Sequence, residues 1–192
     1  MAIEIKGNWT KGYSLDLHTE SSEYLGVDEF GHSKFDTKRT KIGELLYKLK
    51  YQSDKTVISE IIEIVKNSIK NIDKMDFIVP VPPSNKTRSF QPVNEIGKSL
   101  SNDIGVSFIK DALSKKSSKE SKNVTDPAER EKILKESITL KNGLDFTDKK
   151  ILVIDDLYRS GATLRAVTNV LLEQANAKKV FVLTLTKTRS NT

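Results

Sequence analysis

Residues 149–167 read KKILVIDDLYRSGATLRAV. Four apolar residues, Ile151 to Ile154, run straight into two acids, Asp155 and Asp156. A cluster of small residues follows: Ser160, Gly161, Ala162 and Thr163. Beyond it, TLRAVTNVLLEQAN repeats its apolar residues at helical spacing. The stretch therefore reads as a buried strand, a tight turn and the start of a helix. A strand 178–186, KKVFVLTLT, comes next, and Asn176 is placed to take the left-handed position that closes the helix.

The same alternation extends back to residue 76. DFIVPVP (76–82) is a short buried-type strand that stops at prolines. PVNEIGKSLSNDIG (92–105) is a helix with proline at its start and glycine at its end. VSFI (106–109) and SITL (137–140) read as strands. SKKSSKESKNVT (114–125) has no apolar period and reads as a mobile loop. DPAEREKILKE then opens a helix, with Asp126 as cap, Pro127 at the first position and Glu129 at the capping-box position. Strands alternating with helices predict an α/β fold, a parallel sheet with helices on both faces. In such sheets ligands bind beyond the carboxyl ends of the strands, where Asp155 and Asp156 lie.

Residues 1–75 follow another pattern. Short apolar pieces broken by Gly and Asp, as in LGVDEFGHSKF, suggest hairpins over the first forty residues. Ile42, Leu45, Leu46 and Leu49 share one helical face, and Ile58, Ile61, Ile62, Val65 and Ile69 share another. Trp9, Tyr13, Tyr24 and Phe30 can either form a small core there or stack on a base, and core is the favoured reading. The expected organisation is residues 1–75 as an N-terminal part and 76–192 as the α/β core.

Composition narrows the classes. The chain of 192 residues holds no cysteine, so disulfides and thiolate zinc sites are excluded. His18 and His32 lack metal-ligand spacing. The start has no signal-peptide core and no stretch is apolar enough to span a bilayer, so a cytoplasmic protein without a membrane partner is expected. The net charge of +6 favours anionic ligands such as phosphates, nucleotides or nucleic acid.

Two adjacent carboxylates at a strand end suit a diol, or a magnesium ion held directly or through water. Small residues at a helix N-terminus suit a phosphate, because unpaired N–H groups and the helix dipole point at it. Taken singly, the acids read as a solvated strand end and Ser160 or Thr163 as a plain cap. In this order they describe a site for a phosphorylated sugar. Two competing readings fail on spacing. GKS at 97–99 would need glycine at 92 to make a P-loop, and that residue is Pro92. A response-regulator receiver would need a further aspartate downstream, and none of the 36 residues after Asp156 is one.

ILVIDDLYRSGATL resembles the ribose-phosphate-binding signature of type I phosphoribosyltransferases. PVPPSNKTRSFQP is similar to the segment in the ComF-like branch where PVP precedes an Arg-Gly-Phe-Asn-Gln core. The resemblance covers about residues 76–187. It implies that Asp155 and Asp156 hold the ribose hydroxyls of phosphoribosyl pyrophosphate, whose Mg2+ bridges ribose and pyrophosphate. It implies a 5′-phosphate loop of Tyr158, Arg159, Ser160, Gly161, Ala162 and Thr163. Pro83, Ser84 and Asn85 would form the pyrophosphate loop, with Lys86 and Arg88 adding charge. Lys115 and Lys116 match a flexible loop that closes over the reacting centre, and residues 1–75 would be the hood that selects the nucleophile.

The departures carry information too. Position 159 is arginine, where purine salvage members carry an aspartate base, and an arginine is no base at neutral pH. RSFQP replaces the Arg-Gly-Phe-Asn-Gln core, and the cysteine-bearing zinc module is missing. The resemblance implies Mg-dependent transfer of phosphoribose to a nitrogen nucleophile other than an oxopurine. The alternative is a donor-binding regulatory module linked with single-stranded DNA, DNA-processing proteins or defence. A homodimer is the family's common state.

Overall fold

The computed structural model describes residues 2–84, 90–116, 133 and 136–189. Its centre is a six-stranded sheet in the order β1, β2, β10, β9, β5, β6. β2 (Lys11–Leu17), β10 (Lys179–Lys187), β9 (Lys150–Tyr158), β5 (Phe77–Pro80) and β6 (Ser107–Phe108) run parallel. β1 (Ile3–Glu4) is an antiparallel edge. Two small antiparallel pairs stand apart, β3 (Thr19–Val27) with β4 (Ser33–Arg39) and β7 (Leu113–Lys115) with β8 (Ile138–Leu140).

The pleat of β9 divides the protein into its two cores. Ile151 and Val153 face one layer, where α4 (Ala162–Glu173) covers the sheet with Leu164, Val167, Val170 and Leu171. Leu152 and Ile154 face the other, covered by α1 (Lys41–Tyr51), α2 (Ile58–Ser68) and α3 (Pro92–Ile104). Side chains alternate across a strand, so a continuous apolar run buries both faces at once, as parallel sheets require. The expected α/β architecture is the one observed.

Local chemistry explains the helix ends. The hydroxyl of Thr40 accepts the Gly43 N–H and donates to Leu17 O, so it caps α1 and ties it to β2. Pro92 opens α3, and Gly105 at φ 72° closes it. Gly97 has no room for a side chain, since a Cβ there would meet Ile154 at 2.6 Å. Asn176 takes the left-handed conformation as its position implied, with φ 56°.

Several expectations change. β9 does not end at the acids; it runs on to Tyr158, because β10 keeps pairing with it through Thr184, Thr186 and Lys187. Ser114 and Lys115 are strand rather than loop. Leu113 is buried and pairs with Leu140, while the Ser114 and Thr139 hydroxyls lie 2.6 Å apart. Asp126, Pro127 and Glu129 lie outside the described residues. In the N-terminal part, β2 sits inside the main sheet and α1 and α2 share a core with α3. Trp9 is core, with its indole N–H donating to Ile5 O. Tyr13 is half-buried. Tyr24 and Phe30 are not core: they lie exposed on the β3–β4 hairpin, which no other layer covers among the described residues. Among the described residues no helix is long and apolar enough to cross a membrane.

Candidate functional site

The carboxyl edge of the sheet is uneven, and the unevenness makes a cavity. β5 pairs with β9 only as far as Pro80, opposite Ile154. Val81 still donates its N–H to Ile154 O, and then Pro82 and Pro83 turn the chain away. Proline has no N–H to continue a ladder. β9 and β10 go on past that point, so Asp155 and Asp156 are still in a strand but have lost their neighbour on the β5 side.

A cavity of about 310 Å³ opens there. Its wall includes Pro83, Ser84, Gln91, Asn94, Asp155, Asp156, Arg159 and Thr163, with Lys50 from α1. A second cavity of about 160 Å³ is lined by Asp155 and by residues 157–164. Both have Asp155, Leu157, Arg159 and Thr163 in their walls. Of the residues singled out in the sequence, Pro83, Ser84 and the acid pair meet at the first cavity. Tyr158, Ser160, Gly161 and Ala162 meet at the second. Asn85, Lys86 and Arg88 lie outside the described residues. Lys115 is in β7, close enough for its charge to act on Asp155, and the Lys116 N–H is bonded to Ser137 O.

The loop before α4 is a tight turn. Gly161 has φ 74°, and a Cβ there would meet the Tyr158 ring at 2.8 Å. Only glycine fits both restrictions. Among the described residues no side chain caps α4, a twelve-residue helix whose first N–H groups have no intrahelical partner. The Arg165 guanidinium donates to Ser160 O at 2.9 Å and holds the loop from behind.

Several contacts tie the acid pair into the fold. Asp155 Oδ1 accepts the N–H of Asp156 at 2.8 Å. The Thr186 hydroxyl donates to Asp156 O at 3.1 Å, and His18 Nδ1 lies 3.2 Å from that hydroxyl. Lys50 Nζ is 2.6 Å from Asp156 Oδ2, with 15% and 23% of the two side chains exposed. Burial and then the Asp156 charge push the Asp155 carboxyl up to about 7. Burial holds His18 below its ordinary range, helped by the charges of Lys50, Arg39 and Arg159 and opposed by Asp156.

Lys50, His18 and Thr186 escaped the sequence reading. Lys50 could have been placed on the last turn of an amphipathic helix, next to Leu49. Nothing local says which strand edge that turn will meet.

The family model for the phosphoribosyl transferase domain matches residues 50–192. The chain belongs to the phosphoribosyl transferase family. Phosphoribosyl transfer is the chemistry of this family, and the matched span contains β9, α4 and both cavity walls. Solved structures with the transferase fold are distant in sequence. An adenine phosphoribosyltransferase from Thermoanaerobacter pseudethanolicus is 14% identical, with 86% of this chain and 95% of that one covered and a TM-score of 0.44. An orotate phosphoribosyltransferase from Aeropyrum pernix is 10% identical over 85% and 75% of the two chains, with a TM-score of 0.45. A purine phosphoribosyltransferase from Pyrococcus horikoshii Ot3 is 18% identical over 72% and 84%, with a TM-score of 0.41. No curated protein sequence matches the transferase.

Among the described residues no group of three or more His, Cys, Asp or Glu could hold a metal ion. The acid pair offers carboxylates alone, one of them already engaged by Lys50. That donor set fits a magnesium ion that arrives with substrate phosphates, since Mg2+ is commonly held by one or two carboxylates plus phosphate oxygens.

Proposed function

We propose that this phosphoribosyl transferase binds phosphoribosyl pyrophosphate along the carboxyl edge of β9 and transfers its 5-phosphoribosyl group to a nitrogen nucleophile that is not an oxopurine. One observation carries the reading: the acid pair, the turn after β5 and the loop before α4 line two adjoining cavities with shared walls. Asp155 and Asp156 take the ribose hydroxyls. The N–H groups at the start of α4, with the Ser160 and Thr163 hydroxyls, take the 5′-phosphate. Pro83 and Ser84 begin the pyrophosphate loop. Arg159 adds positive charge beside the phosphate, and it cannot take a proton from a purine. Mg2+, when bound with the donor, supplies charge neutralisation for the departing pyrophosphate.

The residues of the N-terminal part, 1–75, stand as the hood over the acceptor, with Lys50 on Asp156 and His18 behind it on the Thr186 hydroxyl. The ComF-like placement belongs to the same proposal and rests on PVPPSNKTRSFQP. The test is pyrophosphate release with donor, Mg2+ and a panel of nucleobases and amines. Release with a non-oxopurine acceptor is the expected result. Release with hypoxanthine or guanine would overturn the acceptor assignment.

The charge of +6 favours a second reading, a donor-binding module that works beside single-stranded DNA. It predicts donor binding without pyrophosphate release, together with a salt-sensitive shift of single-stranded DNA. Release with an acceptor, or no shift at low salt, would dismiss it.

A further inference from the structure

We infer that Lys50 is a positioning residue of the donor site: it holds the Asp156 carboxylate in the one orientation that lets the acid pair grip a ribose diol. The inference rests on the donor-site reading above and deepens it.

Lys50 is not a solvated surface lysine. It sits in the last turn of α1, directly after Leu49, which is fully buried, as is Leu46 one turn earlier. Packing fixes the helix, so the lysine reaches a fixed place. Its Nζ meets Asp156 Oδ2 at 2.6 Å, with little of either side chain exposed. A charge-assisted contact of that length is orienting as well as attractive.

Asp156 is then held by three groups. Its N–H is taken by Asp155 Oδ1, its carbonyl by Thr186, and Oδ2 by Lys50. Among the described residues no hydrogen bond engages its Oδ1. One oxygen is committed and the other is left for a ligand hydroxyl. Both Asp156 and Lys50 lie in the wall of the larger cavity.

Removal of the ammonium has a definite consequence. Two carboxylates on successive residues repel each other, and the nearest cation in contact with Asp156 would be gone. The Asp156 side chain could then rotate away from Asp155 and toward solvent, and the two acids would no longer converge on neighbouring hydroxyls. Without the ammonium, Asp156 is a partly buried charge that has lost its partner, so some stability goes with it. Orientation is the property that separates a positioning role from a merely structural one, because it alone discriminates between ligands with and without the neighbouring hydroxyl.

Calorimetric titration of ribose 5-phosphate, 2-deoxyribose 5-phosphate and inorganic phosphate tests this on the full chain. The variants are Lys50→Met, which keeps the stem and removes the charge, and Lys50→Arg, which keeps the charge. Wild type is expected to prefer ribose 5-phosphate over its deoxy analogue by about tenfold, the value of a hydrogen bond to a charged group. Lys50→Met should lose that preference while its phosphate affinity stays near wild type, even if its melting temperature falls. Lys50→Arg should restore most of the preference. If Lys50→Met keeps the preference, or binds ribose 5-phosphate more tightly than wild type, the assignment is overturned. Equal loss of all three ligands with a lowered melting temperature and no rescue by arginine would make Lys50 structural, and also overturns it. Wild type without any preference removes the donor-site reading itself, and the role of Lys50 with it.

Discussion

In β9, Ile151 and Val153 pack against α4 while Leu152 and Ile154 pack against α1 to α3, and all four are buried. In the hairpin β3–β4, Tyr24, Leu25, Val27, Phe30 and Phe35 are all more than half exposed. Both segments are apolar and both are strands. They differ in whether a second layer lies over them. The hairpin contributes nothing to either core, and Tyr24 and Phe35 have chiefly each other, with ring centres 5.5 Å apart. The acids within β9 inherit a fixed position from two packed layers, and among the described residues the hairpin has no such anchorage. The proposed donor site therefore draws on the layered edge, where side chains are held in place.

The largest expected effect lies in the layered region. Leu171→Ala empties a fully buried position of α4 and should lower unfolding free energy by about 2–5 kcal/mol. Denaturant titration measures it, and a loss near zero would mean that α4 is not the cover of that core. Gly161→Ala should come next. It places a Cβ against Tyr158 at a φ of 74°, at a cost of roughly 1–3 kcal/mol. The affinity for ribose 5-phosphate should fall with it. Unchanged affinity would place the phosphate elsewhere.

Asp155→Asn gives an effect that depends on pH. The wild-type carboxyl has its pKa raised to about 7 from 3.8. Its contribution to stability is fully present below about pH 4, falls as pH rises toward 7 because the unfolded chain ionises first, and is lost above that. The melting temperature of the asparagine variant relative to wild type should therefore rise between pH 4 and pH 7 and then level. A difference that stays flat across that range would contradict the buried, acid-paired environment. The smallest effect belongs to the hairpin. Phe30→Ser should change stability by no more than about 0.5 kcal/mol, and a loss as large as that of Leu171→Ala would erase the contrast between the regions.

The two regions were unequally legible in the sequence. The core strands and helices could be read because burial imposes periodicity: Ile42, Leu45, Leu46 and Leu49 face the core, and all four are buried. SGAT could be read as a tight turn because left-handed backbone demands Gly161. The hairpin can be found from its Gly and Asp breaks, yet its aromatics Tyr24 and Phe30, expected in a core, are exposed. Composition reports apolar side chains, and only the arrangement of other layers decides whether they are covered. The acid pair was legible as chemistry but misplaced as a strand end. Thr184 and Thr186, both buried, extend the β9–β10 ladder, and polar residues give no hint of that from their own periodicity. Lys50, His18 and Thr186 were invisible for a related reason. Each reaches Asp156, directly or through Thr186, by tertiary contact between distant parts of the chain.

Titration calorimetry of phoshoribosyl pyrophosphate with Mg2+ into wild type and into the Asp155→Asn/Asp156→Asn double variant tests the central claim most directly. Saturable binding by the wild type and none by the double variant, with both proteins folded, is the expected result. Equal affinity in the two proteins would contradict it and remove the acid pair from the donor site.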